Sequence, residues 1–179
     1  MKKLLLVSGM VLCSVILFAQ QKPLAAKDIL QEAYKKAAAE NKKVLLIFHA
    51  SWCGWCHKMD SSINDPSCKK SFTDNYIITH LVAHESAEKK DLENAGAEEL
   101  LKQYKAFDNG IPFWVVLDKN GNLLQDSFIK NADGAVGIIG CPASEKEVAA
   151  FVKILKATSA MNADELAVIT SVFRKNEIH

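Results

Sequence analysis

The chain holds 179 residues, 49% hydrophobic and 24% charged, with a formal net charge of +1 and five cysteines. That balance excludes a disordered, collagenous or polytopic membrane protein, and it suits one domain with one sizeable core. Lysines and acidic residues are interspersed after residue 20, so a basic face for nucleic acid or an anionic membrane is not expected.

In chain order, Lys2 and Lys3 precede an uncharged run from Leu4 to Gln21 that ends near the small residue Ala19. This is the layout of a secretory signal peptide cleaved after Ala19. Its strongly apolar part is short for a spanning helix, and the alternative is a retained N-terminal anchor, because Leu17 is large for its place before the cleavage site. Leu12 is too large to precede a lipidated Cys13, which is read as part of the discarded segment. Loss of residues 1–19 removes Lys2 and Lys3, leaving 20 basic against 21 acidic residues, and leaves Cys53, Cys56, Cys68 and Cys141. An exported compartment permits disulfides.

From Lys27 to Asn41, apolar residues including Ile29, Leu30, Ala33, Tyr34 and Ala37 recur at helical spacing, predicting an amphipathic opening helix. Val44 to Phe48 is a continuous apolar run of the kind found in a strand buried on both faces, at the centre of a sheet. Ser51 to Met59 reads as a turn entering a helix, with a break at Asn64-Asp65-Pro66, and Tyr76 to Val82 is a second strand. Residues 84–99 are highly charged and predict a solvated loop, followed by a helix from about Ala97 to Phe107. After Asn109-Gly110-Ile111-Pro112, the strands Phe113–Leu117 and Leu123–Phe128 flank the hairpin signal Asp118-Lys119-Asn120-Gly121. Ser144 and Glu147 form a capping-box pattern ahead of a helix through Phe151, Ile154 and Leu155, and Asn162 caps a last helix to about Arg174.

The chemistry concentrates at Cys53-Gly54-Trp55-Cys56, directly after the buried strand and at the start of a helix. At a helix N-terminus the unpaired N–H groups and the dipole stabilise a thiolate, which makes Cys53 the expected nucleophile. Cys56, one turn on, is placed to resolve a mixed disulfide. Cys-x-x-Cys-His is also the c-type haem attachment motif, with His57 and either Met161 or His179 as axial ligands. That reading does not account for the preceding buried strand or the later Ile-Pro and hairpin. A zinc site would need further ligands, whereas Cys68 and Cys141 are scattered. These two are read as buried small hydrophobes, as a structural disulfide, or as accessory redox thiols.

Strand, Trp52, the CxxC, helix, strand, helix, Ile111-Pro112, hairpin and helix, in that order over about residues 27–157, resemble the thioredoxin superfamily. Trp52-Cys53-Gly54-Trp55-Cys56-His57-Lys58-Met59 with Asn64-Asp65-Pro66 is similar to two of its groups. One comprises exported bacterial proteins related to the C-terminal domain of the periplasmic electron-transferring disulfide reductase, and the other comprises small proteins of the endoplasmic reticulum. The bacterial look of the N-terminal segment favours the first.

The resemblance implies an α/β fold, a three-layer sandwich with a central mixed sheet flanked by helices, plus an extra C-terminal helix. It makes residues 20–179 one domain, with a helical extension over 158–179. It implies a cis Pro112 facing the CxxC, and a docking surface of Trp52, Gly54, Trp55, Ile111 and Pro112 for protein thiols or disulfides outside the cytoplasm. A membrane electron donor fits this scheme, and no cofactor is needed beyond the Cys53–Cys56 pair. The reducing direction is expected, although the Gly54-Trp55 dipeptide does not itself set it. The chain departs from the family at Ile47, where thioredoxins carry a buried acid that takes the resolving cysteine's proton. His49, His57 and Glu85 are the candidate replacements, with water as the alternative. Without a working acceptor, the same fold would serve as a non-enzymatic binding module.

Overall fold

Two apolar runs organise the molecule. The computed structural model describes residues 22–131 and 133–177, so the expected cleavage segment and His179 lie outside the described residues. Strand β1 (Lys43–His49) and strand β3 (Phe113–Leu117) form the middle of a four-stranded sheet ordered β2-β1-β3-β4, with β2 spanning Tyr76–Val82 and β4 spanning Leu123–Asp126. β2 runs parallel to β1, whereas β3 is antiparallel to β1 and to β4, giving a mixed sheet. Val44 to Phe48 and all of β3 are buried, as expected of central strands covered on both faces.

Alternation along the strands sorts the core into two layers. Leu45, Ile47, Trp114 and Val116 face helices α2 (Gly54–Ile63), α3 (Lys69–Asn75), α5 (Glu145–Thr158) and α6 (Ala163–Arg174). Val44, Leu46, Phe48 and Val115 face α1 (Ala26–Glu40) and α4 (Ala97–Gln103) through residues such as Leu30, Ala37 and Leu101. The result is the three-layer α/β sandwich with helices on both faces. α5 and α6 close the first layer as a C-terminal helix pair, joined by Phe151 and Phe173, whose ring centres are 4.9 Å apart.

Both C-terminal helices begin with reciprocal caps. Ser144 accepts from the Glu147 N–H while Glu147 accepts from the Ser144 N–H, and Asn162 and Glu165 repeat the arrangement. Elsewhere the sequence reading needs adjustment. α4 stops at Gln103, because Lys105 adopts a left-handed backbone with φ 59°, short of the expected Phe107. The strand expected over Leu123–Phe128 divides at Ser127, whose hydroxyl accepts from the Trp114 N–H. β5 (Phe128–Lys130) and β6 (Val136–Ile138) then form a separate hairpin, and the sequence pattern marks neither β6 nor α3. Within the charged loop, Ala87–Leu92 forms a short 3-10 turn. Among the described residues no helix is long and apolar enough to cross a membrane.

Candidate active site

β1 ends at His49, and the chain turns through Ala50, Ser51 and Trp52 before α2 begins at Gly54. Cys53 is the N-cap residue of α2, and its sulfur accepts a hydrogen bond from the Cys56 backbone N–H at 3.1 Å. The sulfur thus occupies the place where a Ser or Asp side chain usually satisfies the orphan donors of a first helical turn. Negative charge on this sulfur would meet both that N–H and the positive end of the helix dipole. Cys53 and Cys56 are joined as a disulfide and are 3% and 1% exposed, packed with Ala50.

The turn is held from the far side of the sheet's edge. The buried Glu85, beyond the end of β2, accepts from the Ser51 N–H at 2.5 Å and from the Ser51 hydroxyl at 2.9 Å. Trp52 donates from its indole Nε1 to the His84 carbonyl at 2.8 Å while its ring stays 59% exposed. Trp55, 43% exposed, follows Cys53 by two residues in the first turn of α2, with the Lys58 ammonium over its ring. Two exposed indoles thus flank Cys53 along the chain, beside nearly buried sulfurs.

Opposite them, the Ile111-Pro112 peptide is cis, and the Ile111 carbonyl oxygen lies 3.7 Å from the Cys53 sulfur. A groove of about 250 Å³ runs beside this loop, lined by Trp55, Ile111 and Pro112 and walled by Ile138 to Cys141. The second wall escapes a reading of the sequence. It is built from β6 and the loop behind it, where three-residue strands interrupted by glycines carry no period long enough to recognise. Gly54 is exposed in the first turn of α2, with open space where a Cβ would stand.

The three residues considered for proton transfer fall in different environments. His57 is exposed, with its Nε2 3.2 Å from the Ser51 carbonyl oxygen. Glu85 spends both carboxylate oxygens on Ser51. His49 is partly buried at the end of β1, with its ring centre 5.1 Å from that of His80, and His80 Nε2 is 2.8 Å from Asp60 Oδ1 on α2. Burial, then the neighbouring His80, lowers the His49 pKa from its ordinary value.

Cys68 and Cys141 are free thiols, buried apart from the disulfide. Burial, reinforced by the Asp65 charge, pushes Cys68 up to about 11, and burial pushes Cys141 up to about 12. Both thus suit the first of their three readings, as buried small side chains. Met161, considered as a haem ligand, belongs to the core beside Phe151 and Phe173. Among the described residues no group of three or more His, Cys, Asp or Glu side chains is arranged to hold a metal ion.

Residues 30–130 match the family model described as a thioredoxin-like domain. Disulfide bond reductase DsbH of Chlamydia pneumoniae is 30% identical over 124 residues, spanning 65% of this chain and 72% of that protein. Among solved structures, a disulphide isomerase from Xylella fastidiosa aligns with a TM-score of 0.49 at 18% identity, covering 88% of this chain and 95% of its own. The oxidised C-terminal domain of Neisseria meningitidis DsbD aligns at 0.43 and 19% identity, covering 73% and 97%. With the family match spanning β1, α2 and the Ile111-Pro112 loop, the chain belongs to the thioredoxin-like family and is a thiol–disulfide oxidoreductase.

Proposed function

We propose that this protein works outside the cytoplasm, after loss of residues 1–19, and reduces disulfides in protein partners with Cys53 as nucleophile and Cys56 as resolving thiol. The observation that carries this reading is the Cys53 sulfur acting as N-cap of α2 between two exposed indoles and the Ile111 carbonyl.

The reaction proceeds in two exchanges. The Cys53 thiolate attacks one sulfur of a substrate disulfide, forming the mixed disulfide and expelling the other substrate sulfur as a thiolate, which takes up a proton. Cys56, deprotonated, then attacks the Cys53 sulfur; the Cys53–Cys56 bond forms, and the second substrate sulfur leaves as a thiolate and is protonated. Two electrons and two protons have passed to the substrate, and a dithiol donor, such as a membrane reductase, restores the pair. The electrons reside in the sulfurs, so no bound cofactor takes part. Trp52, Gly54, Trp55, Ile111 and Pro112 form the docking surface. An extended substrate segment can pair with the backbone of Ile111 while its side chains lie in the groove toward Ile138 to Cys141.

The reducing direction is supported by similarity to a relative named as a disulfide bond reductase. The test is turnover of insulin disulfides with a dithiol donor. The wild type reduces insulin, and Cys53→Ser abolishes turnover. Wild-type turnover by Cys53→Ser would overturn the assignment, and an unreactive wild-type pair would favour a binding module.

A further inference from the structure

We propose that His49, placed beside the His80–Asp60 pair beneath α2, takes the proton of Cys56 when that thiol resolves the mixed disulfide. This rests on the dithiol reading above and assigns its proton acceptor.

The need for an acceptor follows from burial. Cys56 is 1% exposed, so bulk water is poorly placed to remove its proton. The layer between α2 and the sheet is largely apolar, filled by Ile47, Met59 and Ile63. At its active-site end the character changes. His49 follows Ile47 by two residues on β1 and therefore lies on the same face of the sheet. It immediately precedes Ala50, which packs against both cysteines. Asp60 lies four residues beyond Cys56 on α2, hence on the same side of the helix one turn on. Asp60 is bonded to His80, and His80 faces His49. Ala50 thus sets the His49 backbone next to the cysteines, and Asp60, on the Cys56 side of α2, connects through His80 to the His49 ring.

The other charged groups near the turn are occupied. His57 Nε2 is directed at the Ser51 carbonyl, both Glu85 oxygens accept from Ser51, and the Lys58 ammonium donates to the Asn176 carbonyl over the Trp55 ring. His49 alone among the three sequence candidates combines partial burial with no hydrogen bond to Ser51.

An imidazole suits the task when it is neutral at working pH, and burial, then the neighbouring His80, shifts His49 toward that form. The groups that face it are His80 on β2, Asp60 and His57 on α2, and Glu85 after β2. The two carboxylates favour the transient imidazolium, whereas protonated His80 or His57 opposes it. In the step itself the S–H bond of Cys56 breaks, the proton goes to the free imidazole nitrogen of His49, and the Cys56 sulfur attacks Cys53. The departing substrate thiolate or water then removes the proton from His49. His80 and Asp60 act as positioning residues.

Stopped-flow reaction of the fully reduced protein with Ellman's disulfide separates the steps. The first thionitrobenzoate is released by attack of Cys53 and the second by resolution through Cys56. His49→Gln is expected to leave the first phase unchanged and to slow the second on the order of 100-fold at neutral pH, the usual contribution of a positioned general base. In the wild type the second phase should rise with an inflection below the ordinary histidine value, and His49→Gln should lose that inflection. Asp60→Asn should move it to still lower pH, a change that a merely structural role would not produce. His49→Asn provides a second variant, and a preserved first phase reports that the site is folded. A second phase of wild-type rate and pH dependence in both His49 variants overturns the proposal and leaves the dithiol reading intact. A wild-type protein with no first phase overturns both.

Discussion

The sulfur of Cys53 lies 3.7 Å from the carbonyl oxygen of Ile111, 58 residues away in sequence. β1 delivers the cysteine and β3 begins directly after Ile111-Pro112, so the antiparallel pairing of the two central strands brings the halves of the site together. Phe48 and Phe113, the last residues of the pairing, face each other across it. The site therefore inherits its precision from the most deeply buried part of the sheet, which suits groups that must hold a reacting sulfur.

The double grip of Glu85 on Ser51 predicts a stability effect that separates shape from charge. Glu85→Ala removes the buried carboxylate that accepts from the N–H and hydroxyl of the exposed Ser51, and should cost about 1 kcal/mol in urea unfolding, the net worth of a typical hydrogen bond. Glu85→Gln retains a carbonyl acceptor for that N–H and should recover most of the loss. Equal destabilisation by the two variants would show that the carboxylate charge, rather than the hydrogen bond, holds the turn.

Gly121 is predicted to resist substitution. It closes the β3–β4 turn at φ +85°, and a Cβ there would meet the Tyr34 ring at 3.0 Å. Gly121→Ala should destabilise the fold by about 1–2 kcal/mol from the left-handed backbone alone, with the Tyr34 contact adding to it. Thermal unfolding of this variant beside Gly134→Ala, a positive-φ glycine with open space around it, isolates the contribution of Tyr34.

Cys68 and Cys141 should remain silent toward iodoacetamide in the native protein at mildly alkaline pH, because their thiols hold protons up to about 11 and about 12. Labelling read by mass spectrometry should find them only after denaturation. The same shifts carry a sign for stability. Both folded-state values are raised, so their contribution is complete below the ordinary thiol value of 9.0 and is lost as pH rises from there toward about 12. Unfolding free energy should therefore fall over that alkaline window, and less steeply in Cys141→Ala.

The two indoles predict how partners are chosen. With a net charge near zero and exposed indoles flanking Cys53 along the chain, docking should depend little on ionic strength. Trp55→Ala should raise KM for a protein disulfide about tenfold, the effect of losing an aromatic contact worth about 1.4 kcal/mol. Rates that fall steeply with added salt would point instead to charged recognition, for which the loop at Ala87–Leu92 offers exposed Glu88, Lys89, Lys90 and Asp91.

Most of the frame was legible in the sequence because its strongest signals are local. Val44 to Phe48 and Phe113 to Leu117 announce buried strands by composition, Ser144 and Asn162 announce caps, and the CxxC announces its own chemistry by following one of those strands. What stayed hidden depends on contacts between distant residues. Ser51 and Glu85 are 34 positions apart, and nothing in either one signals the other. The His49–His80–Asp60 cluster is assembled by strand register and the packing of α2, so each member looks ordinary alone. The β5–β6 hairpin is too short for alternation to register, and with it went the far wall of the groove beside the Ile111-Pro112 loop. The α4 boundary failed for a related reason, since Lys105 enters a left-handed turn without a glycine to mark it.

The measurement that bears most directly on the central claim is mass spectrometry of the two single Cys→Ser substitutions at the disulfide, each exposed to a disulfide-bonded peptide. Cys56→Ser is predicted to accumulate a stable mixed disulfide on Cys53, while Cys53→Ser, which retains only the buried Cys56 of the pair, stays unmodified. Equal capture by the two variants, or capture through Cys56 alone, would contradict the assignment of Cys53 as the nucleophile that meets the substrate.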